Sequence, residues 1–203
     1  ITTDNDHAHI VPEVIDGIIK SCNDNFVILS GGETEVLTET KFHISGSAYG
    51  IIPNDTFIVD GSKVEDGDII IGLESNGLHA NGWTALYDRL EYRNDNIAMG
   101  ESILLPTKIY CNDINSLMTR IRPSAIINIT GGGFRNLERI PHKNLTYNIK
   151  HEVTQEVFTD IETCFSHQEM YTTFNMGIGM MVIVKPKDRN VALSVMSGSK
   201  VIG

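Results

Sequence analysis

The feature that most constrains this chain is a pattern that occurs three times: a short apolar run that stops abruptly in a polar, glycine-bearing loop. It reads FVIL-SGGET from residue 26, IIIGL-ESNGLHANG from residue 69 and AIINI-TGGGF from residue 125. Four or five consecutive apolar residues rich in Ile and Val, bounded by turn residues, read as a buried strand. Glycine directly after a strand admits positive φ and lets backbone come close to a ligand or to another segment. N–H groups freed in such a turn can hold an anion, although the same glycines also serve plain turns. None of the three loops has Walker or dinucleotide-fingerprint spacing.

Helical patterns lie between these runs. Pro12 suits the first turn of a helix reaching Cys22, with Val14, Ile15, Ile18 and Ile19 on one face. Further helices are expected over residues 83–90, 106–120, 153–165 and 188–196, with a short one at 136–139. Residues 42–52, 56–59 and 180–184 read as strands, and 200–203 begins another. Residues 91–101 read as a solvated connector. Alternation of strands and helices predicts an α/β, mixed α+β class. The expected division is 1–54 and 55–203, the first part being too small to hold its own core.

The net charge of −10 argues against a nucleic-acid surface, which needs a basic stripe. It also means that a phosphorylated substrate would have to be held by backbone N–H groups, helix N-termini or bridging Mg²⁺. No apolar run approaches the roughly 20 residues needed to cross a bilayer. The polar, acidic start does not read as a secretory signal, and a start at Ile1 reads as a fragment or a processed product. Three widely spaced cysteines, Cys22, Cys111 and Cys164, fit a reducing, cytoplasmic setting, with Cys111 and Cys164 on predicted core faces.

Loop 76–82 is chemically the richest. Asn76 and Asn81 offer donors and acceptors, and His79 can carry a proton near neutrality; a turn with an exposed histidine is the plainer alternative. Residues 169–180 combine Glu169, Asn175, Gly177 and Gly179 just before a buried strand. An Asn there would be buried and hydrogen-bonded, beside the loop that carries Asn76 and Asn81. His7 and His9 could ligate a metal, but a His-x-His near a chain end is more often solvated.

Five segments together resemble the aminoimidazole ribonucleotide (AIR) synthetase family, the phosphoribosylformylglycinamidine cyclo-ligases. They are GGETE at 31–35, DGSKVEDGDIIIGLESNGLHANGW at 60–83, LLPTKIY at 104–110, ITGGGFRNLERI at 129–140 and EMYTTFNMGIGM at 169–180. The resemblance implies an AIR synthetase-like carboxy-terminal domain, with a mixed sheet and flanking helices, preceded by the end of an amino-terminal ATP-binding domain. It implies ATP and Mg²⁺ as cofactors, a phosphorylated small-molecule substrate and a homodimer. Gly31, Gly32, Glu33 and Thr34 are then expected on the nucleotide side, with Glu33 toward the metal. Asn76, His79 and Asn81 are expected at the reacting centre, His79 as proton shuttle or as orienting group. Asn175 and Gly131, Gly132 and Gly133 are expected to bind substrate, the glycines otherwise serving as a structural turn.

Four departures from the family pattern bear on activity. The acidic glycine-rich loop for Mg²⁺-nucleotide is expected upstream of Ile1, which predicts that this chain alone is inactive. Val36, Leu37 and Thr38 stand where Met-Pro-Gly is usual, Ala80 stands where Ser is usual, and Thr172 replaces an Arg. The last change removes a phosphate contact. Two alternatives follow: another ATP-using member of the superfamily, such as a selenophosphate synthetase, or a non-catalytic binding module that kept the scaffold.

Overall fold

The computed structural model describes residues 1–38, 41–93, 101–141 and 144–203, and divides into two compact units, Ile1–Pro53 and Asn54–Gly203. In the first unit three two-residue strands pair in the order β2–β1–β3: β1 (Thr2–Thr3), β2 (Glu35–Val36) and β3 (Phe42–His43). The β1–β2 pairing is parallel and the β1–β3 pairing antiparallel. Helix α1 (Val11–Asp24) carries Pro12 in its first turn, where the missing N–H costs nothing. The strands expected at 26–29 and over most of 42–52 do not form. Apolar composition favours a strand only where a partner edge takes up its backbone groups. Here Phe26, Ile28, Tyr49 and Ile51 are each at least 90% exposed.

The second unit is built on an antiparallel sheet ordered β5–β6–β4–β7, from β4 (Ile69–Glu74), β5 (Ala125–Asn128), β6 (Ile178–Val184) and β7 (Ser199–Val201). The resemblance gave this sheet as mixed, but every pairing described in it is antiparallel. Strand β6 is buried along its whole length because both faces of the sheet are covered. On one face Ile71, Leu73, Met180 and Val182 pack with Leu117 of α3 (Cys111–Arg120) and Ala192 of α6 (Arg189–Val195). On the other, Ile127, Met181 and Ile183 pack with Leu137 and Ile140. A third apolar cluster joins Leu86 of α2 (Trp83–Arg93), Phe158 of α4 (Glu156–Glu162), Met170 of α5 (His167–Thr173) and Phe174.

Several boundaries differ from the sequence pattern for identifiable reasons. The helix expected from residue 106 begins at Cys111, because the segment before it bonds to another loop: Asn76 Nδ2 donates to Pro106 O, and Tyr110 Oη to Glu74 O. Residues 136–139 belong to a longer 3₁₀ helix, Gly133–Arg139. A 3₁₀ turn, Asp55–Phe57, takes the place of a strand at 56–59. Helix α5 was hidden in a stretch read as the approach to a strand. Its start is a capping box, with Ser166 accepting from the Glu169 N–H and Glu169 from the Ser166 N–H. Cys164 is buried as expected, whereas Cys111, at the first turn of α3, is exposed. Most of the expected 91–101 connector lies outside the described residues.

Candidate functional site

Antiparallel pairing fixes which loops meet. The end of β4, the end of β5 and the start of β6 lie at one end of the sheet, since Glu74 pairs with Ile178 and Asn128 with Met180. The three segments that follow or precede them are 75–82, 129–133 and 175–177. The strand register therefore brings the roots of these three segments to one place.

Asn175 is the tie. It is 2% exposed and all four of its side-chain bonding positions are used. Its Nδ2 donates to Gly77 O (2.8 Å) and Leu78 O (3.1 Å), while its Oδ1 accepts from Ser75 Oγ (3.0 Å) and the Gly177 N–H (2.9 Å). The expectation that Asn175 is buried, bonded and beside loop 76–82 is met. Its neighbour Met176 has φ +50, and His79 has φ +60. Left-handed backbone at a non-glycine residue costs about 1–2 kcal/mol and persists only where surrounding bonds impose it. Two of the three such residues among those described stand in this site.

His79 is buried, its ring against Gly179, where an added Cβ would fall 2.6 Å from His79 Cε1 and still closer to the Tyr110 hydroxyl. Glycine is required there for the close approach. Its Nε2 lies 2.8 Å from Asn76 Oδ1. The orientation follows from Pro106: a carbonyl only accepts, so Asn76 turns its Nδ2 toward Pro106 O (2.9 Å) and its Oδ1 toward the ring. The backbone N–H groups of Asn76 (3.5 Å) and Lys108 (3.4 Å) also face Nε2, so this nitrogen donates to Asn76 Oδ1 in one tautomer and accepts from the two backbone groups in the other. Burial, and after it the charge of Lys108, holds the imidazole below the ordinary histidine range. The ring is thus neutral near pH 7.

The β5 loop completes the site. Gly132 (φ +99) and Gly133 (φ +54) turn the chain into the 3₁₀ helix, and a Cβ on Gly133 would strike Tyr171 O at 2.3 Å. A Cβ on Gly131 would stand 3.7 Å from Asn81 Oδ1, so Asn81 and the glycine turn are neighbours. Asn136, 3% exposed, holds the turn from inside: its Nδ2 donates to Gly133 O (2.5 Å) and its Oδ1 accepts from the Thr130 hydroxyl (3.2 Å). Sequence reading missed Asn136, Ser75, Lys108 and Gln155. Asn136 alone had a local signal, being a polar residue three positions past the glycines.

The other candidates, Gly31, Gly32, Glu33 and Thr34, belong to the first unit and are exposed. An added Cβ on Gly31 or Gly32 meets nothing within 4 Å, and the Glu33 carbonyl accepts from the terminal amine of Ile1 (2.7 Å). Among the described residues no group of three or more His, Cys, Asp and Glu side chains could hold a metal ion. Glu33 therefore belongs to no such group. Among the described residues, no helix is long and apolar enough to cross a membrane.

Fold and site together define an α+β domain whose glycine-bearing loops gather at one end of a covered antiparallel sheet. Within that class the chain belongs to the AIR synthase related proteins: residues 65–203 match the family's C-terminal domain. Three relatives named phosphoribosylformylglycinamidine cyclo-ligase agree with this. The Finegoldia magna protein is 33% identical over 91% of this chain and 58% of its own length. The Clostridium kluyveri protein is 34% identical over 89% of this chain and 58% of its own length. The Brevibacillus brevis protein is 32% identical over 96% of this chain and 62% of its own length. The chain thus spans about three-fifths of the length of these relatives.

Proposed function

We propose that this chain is the carboxy-terminal part of a phosphoribosylformylglycinamidine cyclo-ligase of purine biosynthesis, which converts formylglycinamidine ribonucleotide and ATP to aminoimidazole ribonucleotide, ADP and phosphate. The observation that carries the reading is the convergence of three segments: Asn175 ties 175–177 to 76–82, and the 131–133 turn lies against Asn81 and the Tyr171 and Phe174 carbonyls. ATP, held with Mg²⁺, supplies the phosphoryl group that turns the formyl-derived amide oxygen into a leaving group. This chain's own residues bind and orient. In a protein of net charge −10, the backbone N–H groups of Gly131 and Gly132, with the Asn81 amide, are suited to the substrate phosphate, while Gly133 shapes the turn and gives its N–H to Thr130 O (3.0 Å). His79, neutral and held at Nε2 by Asn76, either orients the substrate or moves a proton as the neighbouring nitrogen attacks.

Residues 1–54 are assigned to the remainder of an amino-terminal nucleotide domain, with Gly31, Gly32, Glu33 and Thr34 on its nucleotide side. The working form is assigned as a cytoplasmic homodimer. A non-catalytic module is the second reading. It is favoured by Thr172, whose hydroxyl donates to Gln168 O within its own helix where the family pattern has Arg.

The test is an assay with ATP, Mg²⁺ and formylglycinamidine ribonucleotide, scoring ADP and aminoimidazole ribonucleotide. The intact encoded protein turns over and the 203-residue chain alone does not. An intact protein that binds the ribonucleotide without turnover supports the module instead.

A further inference from the structure

Behind the candidate site lies a second layer of polar contacts that none of the glycine loops supplies. Gln155 Nε2 donates to the Ser75 carbonyl (2.7 Å), and the Ser75 hydroxyl donates to Asn175 Oδ1 (3.0 Å) with Gln155 Oε1 a second acceptor at 3.4 Å. The Ser75 N–H donates to Gly177 O (2.9 Å). Four residues upstream, His151 Nε2 donates to the Met176 carbonyl (2.8 Å). The segment before α4 thus grips both arms of the Asn175 tie, Ser75 on one side and Met176 on the other, across 80 and 25 positions of sequence.

Gln155, at the N-cap position of α4, makes no capping bond, and both polar atoms of its amide are turned to Ser75. His151, for its part, holds its Nδ1 buried with no partner among the described residues, a cost the Met176 contact must offset. What both side chains hold is the left-handed Met176 and the root of loop 76–82, the backbone least able to hold itself.

We infer that Gln155, assisted by His151, is a positioning residue: through Ser75 and Asn175 it fixes the conformation of residues 76–82 and so the placement of His79 and Asn81. The inference rests on reading that loop as the substrate side of the site. Gln155 does not itself touch the reacting atoms.

Amide hydrogen exchange on the 203-residue chain tests it, comparing wild type with Gln155→Met, which keeps length and volume but removes the amide, and with Ser75→Ala, which cuts the hydroxyl link to Asn175. Both variants raise exchange at residues 76–82 and 175–177 by about tenfold, with β4, β5 and β6 unchanged. Exchange that is unchanged in the loop, or that rises equally throughout the sheet, overturns the inference; the latter would make Gln155 a contributor to global stability only. If Gln155→Met does not fold, Gln155→Glu, which keeps the side-chain shape but removes the Nε2 donor to the Ser75 carbonyl, decides by the same criterion. A parallel run with formylglycinamidine ribonucleotide added to the intact protein separates the two readings. Absence of protection at 76–82 in wild type removes the substrate assignment, while the positioning inference still stands or falls on the exchange of the unliganded variants.

Discussion

Single residues carry much of this site, and each makes a measurable demand. Asn175→Ala leaves two carbonyls, an N–H and a hydroxyl without their partner, and we expect a loss of roughly 3 kcal/mol, read as a lower Tm and urea midpoint. Gly179→Ala drives a methyl into the Tyr110 hydroxyl and the His79 ring, and overpacking of that kind costs about 1–3 kcal/mol. His79 and His151 are both held below the ordinary histidine range, each chiefly by burial. The unfolded chain then binds more protons than the folded one as pH falls through the ordinary value of about 6.5. The stability due to these residues is complete above that pH and is lost below it, down to their folded values. Thermal melts at pH 7.5 and pH 5.5 are expected to show a lower Tm at the acid pH, and the difference shrinks in His151→Gln. An equal Tm at both pH values contradicts the burial of these rings.

At the scale of elements, the sequence was most readable where a continuous apolar run is buried on both sides. Runs 69–73, 125–129 and 180–184 are strands because their apolar side chains are taken up on both faces of one sheet. It was least readable where distant bonds decide. Nothing local says that Pro106 O is needed by Asn76, so the helix that Pro106 should open starts five residues later. Gln155 likewise looks like a helix residue until Ser75, 80 positions away, claims its amide. Segments 26–29 and 44–52 had strand composition but no partner edge. In the candidate site, Asn76, His79, Asn81, Gly131 and Asn175 were legible as candidates because they cluster in polar, glycine-bearing loops directly after or before apolar runs, a pattern that plain turns share. Ser75 was not, since its hydroxyl acts on Asn175, 100 positions away in sequence. Among elements, α5 offers the clearest check. Ser166→Ala breaks a capping box and should cost about 1 kcal/mol in a thermal or urea melt; no change would mean the box does not hold in solution.

At the scale of the molecule, the second unit contains both halves of an argument: a covered sheet that fixes register, and loops at one end that the register brings together. The family assignment covers residues 65–203, and the chemistry proposed for the whole protein draws on the remaining length of its relatives as well. The central claim is that loop 76–82 is the reacting side of that protein. Its most direct test is steady-state kcat/KM for the intact protein with formylglycinamidine ribonucleotide, comparing His79→Ala and Asn81→Ala with His9→Ala, a variant of an exposed residue outside the second unit. The account predicts a fall of about 10²-fold for His79→Ala, a clear fall for Asn81→Ala and wild-type behaviour for His9→Ala. Wild-type kcat/KM in His79→Ala and Asn81→Ala would contradict it.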